Sequence, residues 1–114
     1  MVTSRSTIKK RRIMGLLEFF GIQNKRKIKM REVLENGAVI IDVRSKEEFS
    51  QGHVKGSVNM PLPGIAGQIN KIHKMNAPVV LCCASGMRSG SATSILKGAG
   101  IECYNGGSWM NLNN

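Results

Sequence analysis

The residues most able to do chemistry lie together in Cys83-Ala84-Ser85-Gly86-Met87-Arg88-Ser89, directly after the apolar run Pro78-Val79-Val80-Leu81-Cys82. Small residues between an apolar strand and the start of a helix turn several backbone N–H groups towards one centre, and the helix dipole adds positive potential there. A cysteine at that centre has its thiolate favoured, so its pKa falls below the free value of about 8.5 and it becomes a nucleophile near neutral pH. Arg88 adds a permanent cation at the rim. An inert core thiol is the plain alternative for any free cysteine, but the position of Cys83, with glycine in the loop ahead of a helix start, argues against it.

The elements that must position this loop alternate along the chain. Ala38 to Val43 is a β-branched run bounded by Gly37, which predicts a buried strand. Met30, Val33 and Leu34 give a short helical face before it, closed by Asn36-Gly37. Ser45-Lys46-Glu47-Glu48 reads as a capping box opening a helix through Phe49 that ends at Gly52. Ser57 to Met60 can form a short strand stopped by Pro61 and Pro63, and Ile65, Ile69 and Ile72 place a helix over about 65–75. Pro78 to Cys82 is the second buried strand. Arg88 to Lys97 puts Ala92, Ile95, Leu96 and Ala99 on one helical stripe, with Gly98 and Gly100 ready to end it. A last strand at Ile101 to Tyr104 precedes Gly106-Gly107. Alternating strands and helices imply an α/β layer fold on a mainly parallel sheet, in which ligands bind beyond the carboxyl ends of the strands, where the Cys83 loop must sit.

Charge is distributed unevenly. The 114 residues carry 17 Lys plus Arg against 7 Asp plus Glu, a net charge of +10. Residues 1–31 hold ten of the bases and a single acid, Glu18, so the remaining body is close to neutral. This divides the chain into a basic N-terminal arm over 1–26, with a short amphipathic helix and no need to be ordered, and one domain over 27–114. In the arm Ile13, Leu16, Leu17 and Phe20 share a helical face, and residues 14–22 allow weak association with an anionic membrane. The alternative is that 14–22 pack on the domain and 1–13 are solvated, with Met14 as a candidate start. Residues 1–13 also have the composition of an organellar transit peptide, while Glu18 and the basic run after Asn24 argue against a secretory signal. Nucleic-acid binding rests on charge alone, without stacking aromatics, and is not expected. Three cysteines, two of them adjacent, offer no disulfide or zinc framework, so a reducing, cytoplasmic setting is expected. The longest apolar run, Val79 to Ala84, is six residues against about 20 for a membrane-spanning helix.

Cys83-x-x-Gly86-x-Arg88-Ser89 after an apolar strand resembles the active-site loop of rhodanese-like sulfurtransferases. Three further stretches agree in order and spacing: Gly37 to Arg44 followed by Glu47-Glu48-Phe49, the Gly52-His53 turn running on to Pro61, and Asn105-Gly106-Gly107-Ser108-Trp109. The likeness covers about Lys27 to the C-terminus and is to the small single-domain bacterial type. It implies a rhodanese-like three-layer fold, with a mainly parallel central sheet and helices on both faces. By the same resemblance Cys83 takes the outer sulfur of thiosulfate or a persulfide donor, becomes a persulfide, and passes the sulfur to a thiol or cyanide. Ala84, Ser85, Gly86, Met87, Arg88 and Ser89 form the substrate-binding loop, and its N–H groups hold the added negative charge. No separate base is needed, because the nucleophile is already a thiolate. Asp42, Arg44 and Glu48 resemble the family's internal polar cluster. Ala84, Ser85 and Met87 are uncharged and Arg88 is the loop's one cation, so an organic persulfide or a sulfur-relay protein is a candidate donor.

Other readings compete. Cys82-x5-Arg88 has the spacing of tyrosine-phosphatase loops, but Leu81 and Ser85 stand where those loops place His and Gly. Cys82 then reads as a small apolar residue at the strand end, or as a resolving thiol whose side chain points to the opposite face from Cys83. His53 and His73 have no second ligand at metal spacing and read as a hydrogen-bonding residue of the Gly-His turn and a helix surface residue; no metal or cofactor is expected. Trp109 reads as a core or lid aromatic. A monomer is expected. The second function class is a binding or sulfur-carrier module that docks on a protein partner or an anionic membrane.

Overall fold

The computed structural model describes Lys25 and residues 28–112. The chain divides into two units, Met1–Arg31 and Glu32–Asn114. In the first, residues 28–31 are helical; the expected amphipathic face and membrane contact at 14–22 lie outside the described residues. The second opens with helical residues 32–35, and Gly37 follows at φ 92, the left-handed conformation that Asn36-Gly37 led us to expect.

Four parallel strands make the sheet: β1 Val39–Asp42, β2 Val58–Asn59, β3 Val79–Cys83 and β4 Cys103–Ser108, in the order β2-β1-β3-β4. The helices are α1 Lys46–Ser50, α2 Ile69–Met75 and α3 Met87–Gly98, with 3-10 segments at Leu62–Gln68 and Trp109–Leu112. All five residues of β3 are inaccessible to solvent, so both faces of the sheet are covered at its centre. Side chains alternate along it. Val79, Leu81 and Cys83 join Ile41, Val43, Ile65, Ile72, Ala92 and Leu96 in one core, whereas Val80 and Cys82 stay outside that cluster. Leu112 lies by Val80, since a Cβ on Gly106 would come within 3.0 Å of Leu112 and 2.8 Å of Val80.

Three expected elements come out differently. The segment expected as a helix over 65–75 is a 3-10 turn to Gln68 and becomes α-helical only from Ile69, after a stretch loaded with Pro61, Pro63, Gly64 and Gly67. The buried face of α3 is Ser89, Ala92, Thr93 and Leu96, with Ile95 exposed. Small residues let α3 lie close on β3 and β4; a Cβ on Gly90 would already stand 3.3 Å from the Asn105 amide nitrogen. Thr93 loses no hydrogen bond by being buried, because its hydroxyl donates to the Ser89 carbonyl at 2.7 Å. Finally, β4 begins and ends later than expected and runs through Gly106-Gly107. Its register against β3 shifts, with Leu81 opposite Asn105 and Cys82 opposite Gly107. Gly106 falls at that irregularity because no side chain fits between it and Val80.

Candidate active site

β3 ends at Cys83, and α3 begins four residues later at Met87, so the loop has three residues to reverse into the helix. Gly86 makes the turn at φ 102, a conformation open to glycine at little cost, and a Cβ there would sit 3.3 Å from Gly107 Cα. The turn aims the Gly86 N–H at Cys83 Sγ, 2.9 Å away. The Ser89 N–H and hydroxyl each stand 3.4 Å from the same sulfur. Burial alone would push the Cys83 thiol up; hydrogen bonds from Ser89, and from the backbone at Gly86 and Ser85, outweigh it and bring its pKa below the ordinary value.

Cys82 is the opposite case. Its side chain is buried on the other face of β3, and burial followed by the nearby Asp42 charge pushes its thiol up to about 12. The loop amides converge on Cys83, so the phosphatase frame on Cys82 has no anion cradle around its sulfur.

The remaining loop residues divide by exposure. Ala84, Ser85 and Met87 are exposed, Gly86 and Arg88 are half-buried, and Ser89 is buried. Arg88, the cation expected at the rim, has a partner that the sequence did not indicate. Its guanidinium forks onto Glu48, with Nη1 donating to Oε1 at 2.7 Å and Nη2 to Oε2 at 3.1 Å. Glu48 is at the same time the N3 residue of the capping box, accepting from the Ser45 N–H and hydroxyl at 3.1 Å each. Arg88, and then Ser45, hold the Glu48 carboxyl down at about 2. Glu48 also lies close enough to Arg44 for its charge to favour that guanidinium, as the expected polar cluster implies. Asp42 and Arg44 themselves form a buried pair in which Arg44 Nε and Nη2 reach the Asp42 carboxylate at 2.7–3.0 Å. Arg44 also donates to the Gly52 carbonyl at 2.7 Å and lies 4.5 Å from the centre of the Trp109 ring.

Residues 27–110 match the sequence pattern of the rhodanese-like domain family. The chain belongs to that family. A Bacillus subtilis relative named "Uncharacterized protein YqhL" is 41% identical over 69 residues, 60% of this chain and 54% of that protein, so the rhodanese-like chain spans about half the length of that relative. The thiosulfate sulfurtransferase GlpE of Pseudomonas putida is 30% identical over 85 residues, 75% of this chain and 74% of that one. Among solved structures, a rhodanese with anions from E. coli superimposes with a TM-score of 0.60 at 32% identity, covering 66% of this chain and 91% of that chain.

Within this rhodanese-like domain the structure adds a residue that sequence reasoning quoted but gave no task. Asn105, on β4, accepts the Ser89 hydroxyl at 2.7 Å and the Gly107 N–H at 3.0 Å, and donates to the Gly86 carbonyl at 3.1 Å. It thereby fixes both residues that face the sulfur. The available signal was an asparagine, disfavoured in strands, directly before Gly-Gly. His53 bonds the Phe49 carbonyl at 2.7 Å and stacks on its ring, and His73 bonds the Ala99 carbonyl from α2. Among the described residues no group of three or more His, Cys, Asp and Glu could hold a metal, and no helix is long and apolar enough to cross a membrane.

Proposed function

We propose that the domain is a sulfurtransferase in which Cys83 carries sulfur from a sulfane donor to a thiol or cyanide. The observation that supports this best is the convergence of the Gly86 and Ser89 N–H groups on Cys83 Sγ. The thiolate attacks the donor's outer sulfur, a new Sγ–S bond forms, and the donor's S–S bond breaks with its electron pair leaving on the departing fragment. The loop donors then face the negative charge of the persulfide. An acceptor thiolate or cyanide attacks the outer sulfur and returns the Cys83 thiolate, so the two half-reactions are separate in time. The name of the Pseudomonas putida relative, a thiosulfate sulfurtransferase, agrees with this chemistry. Mixing the protein with excess donor and no acceptor is expected to add one sulfur atom to Cys83, seen by intact-mass and peptide mass spectrometry. Sulfur absent from Cys83, or lodged on Cys82 or Cys103, counts against the proposal.

The thiol's environment makes a second expectation. Cys83 has no solvent-accessible surface, so a reagent reaches Sγ only as its surroundings yield. Alkylation by iodoacetamide should reach half its maximal rate at a lower pH than that of an unperturbed cysteine thiol, while its plateau lies below that of a free thiolate. Gly86→Ala, which disfavours the φ 102 turn and displaces the N–H, should move the midpoint upward. An unshifted midpoint in that variant contradicts the role given to the Gly86 amide.

A further inference from the structure

The sulfurtransferase reading leaves the donor open, and the ion pair between Arg88 and Glu48 bears on it. Thiosulfate brings two negative charges up to the Cys83 thiolate, so three gather in one loop, and the departing sulfite removes two of them. An organic persulfide brings at most one. Amide dipoles share such charge, and a free cation at the loop favours a dianion over a monoanion by about twice the Coulomb energy. Arg88 is the cation that this loop contributes, and its fork is closed on Glu48 at 2.7 and 3.1 Å. Arg44 is closed on Asp42 in the same way. Ala84 and Ser85 are uncharged, and Met87, 80% exposed, presents an apolar side chain to an arriving donor. Nor is Glu48 an incidental neighbour, since the Ser45 N–H and hydroxyl both hold Oε1 in place.

Resting on that reading, we infer that Glu48 is a specificity-determining residue: by neutralising Arg88 it makes the Cys83 loop select organic persulfides over the thiosulfate dianion. The favoured step is attack of the Cys83 thiolate on the outer sulfur of R–S–S–H. The Sγ–S bond forms, the donor's S–S bond breaks, RS⁻ leaves with the electron pair, and the proton stays on the transferred sulfur. One negative charge enters the step and one leaves it.

The test is the rate of sulfur loading on Cys83 in the full chain, followed by intact mass, with thiosulfate and with 2-hydroxyethyl persulfide, whose organic part is uncharged. The donors' intrinsic reactivities cancel when the thiosulfate-to-persulfide ratio of a variant is divided by that of the wild type. Glu48→Gln keeps a residue able to complete the capping box while returning a net charge to Arg88. Its ratio is expected to rise about tenfold, as one freed charge facing a dianion across a few ångströms of partly solvated surface gives, and the rise should shrink at high salt. Met87→Lys, a cation added at an exposed site away from the capping box, should raise the ratio as well. If Glu48→Gln does not fold, the salt dependence of the wild-type ratio decides: with Arg88 neutralised it stays level or rises with salt, whereas a fall with salt shows Arg88 acting as a free cation and overturns the inference. An unchanged ratio overturns the inference while leaving the sulfurtransferase standing. Failure of both donors to load wild-type Cys83 instead removes the sulfurtransferase reading and the inference with it.

Discussion

Cys83→Ser is expected to bring thiocyanate formation from a sulfane donor and cyanide down to background, a loss of at least about a thousandfold, because covalent transfer stops when the carrier is removed. The serine hydroxyl meets the same Gly86 and Ser89 donors. It is nevertheless almost wholly protonated near neutral pH and forms no stable sulfur adduct. The fold should tolerate the change, since the new hydroxyl replaces a sulfur that already has polar partners. Thermal unfolding is the control. Cys82→Ser should behave in the opposite way, retaining sulfur loading while losing stability, because that hydroxyl would be buried on the face that Cys82 shares with Val80 and away from the loop amides. Equal activity in Cys83→Ser and wild type sinks the assignment. Activity lost in Cys82→Ser and kept in Cys83→Ser would move the nucleophile one residue upstream.

Local patterns carried most of the fold into the sequence. The capping box at Ser45 and Glu48 is present with both of its hydrogen bonds, and the β-branched runs became the two central strands. Choosing Cys83 over Cys82 depended on the place of Gly86, and Gly86 adopts the left-handed turn that such a loop requires. What the sequence hid falls into two kinds. One is burial governed by size. The face of α3 includes Ser89 and Thr93, which a hydrophobic stripe does not mark, and β4 continues through Gly106, where a side chain would not fit. The other is polar pairing between distant segments. Arg88 finds Glu48 forty residues away, and Asn105 reaches back to Gly86 and Ser89. Such pairs follow from the parallel crossover that brings β1, β3 and β4 side by side, and no periodicity along the chain announces them. These pairings matter chemically, because they set the charge and the shape of the site.

Asp42→Ala should be strongly destabilising. Asp42 has no exposure and Arg44 has 4%, so the substitution leaves a guanidinium buried without its counter-charge. Breaking one side of a buried pair costs about 3–5 kcal/mol. A domain of this size has about 5–10 kcal/mol in all. Arg44 cannot simply swing out without further loss, because it also donates to the Gly52 carbonyl and lies over Trp109. Gly52 packs so close to that ring that a Cβ would stand 3.2 Å from it, so the turn after α1 and the C-terminal 3-10 segment loosen together. Asn59 adds a further tie at this point, donating to the Asp42 and Arg44 carbonyls at 3.0 Å each. A fall in melting temperature of at least about 12 °C is expected, given about 4–8 °C for each kcal/mol in a domain of this length. The double variant Asp42→Leu with Arg44→Met removes both charges at once and should recover at least half of the loss. Urea midpoints for the two variants decide the point. A loss below about 1 kcal/mol in Asp42→Ala, or a double variant no better than the single one, would show that packing around Trp109 holds these segments together without help from the ion pair.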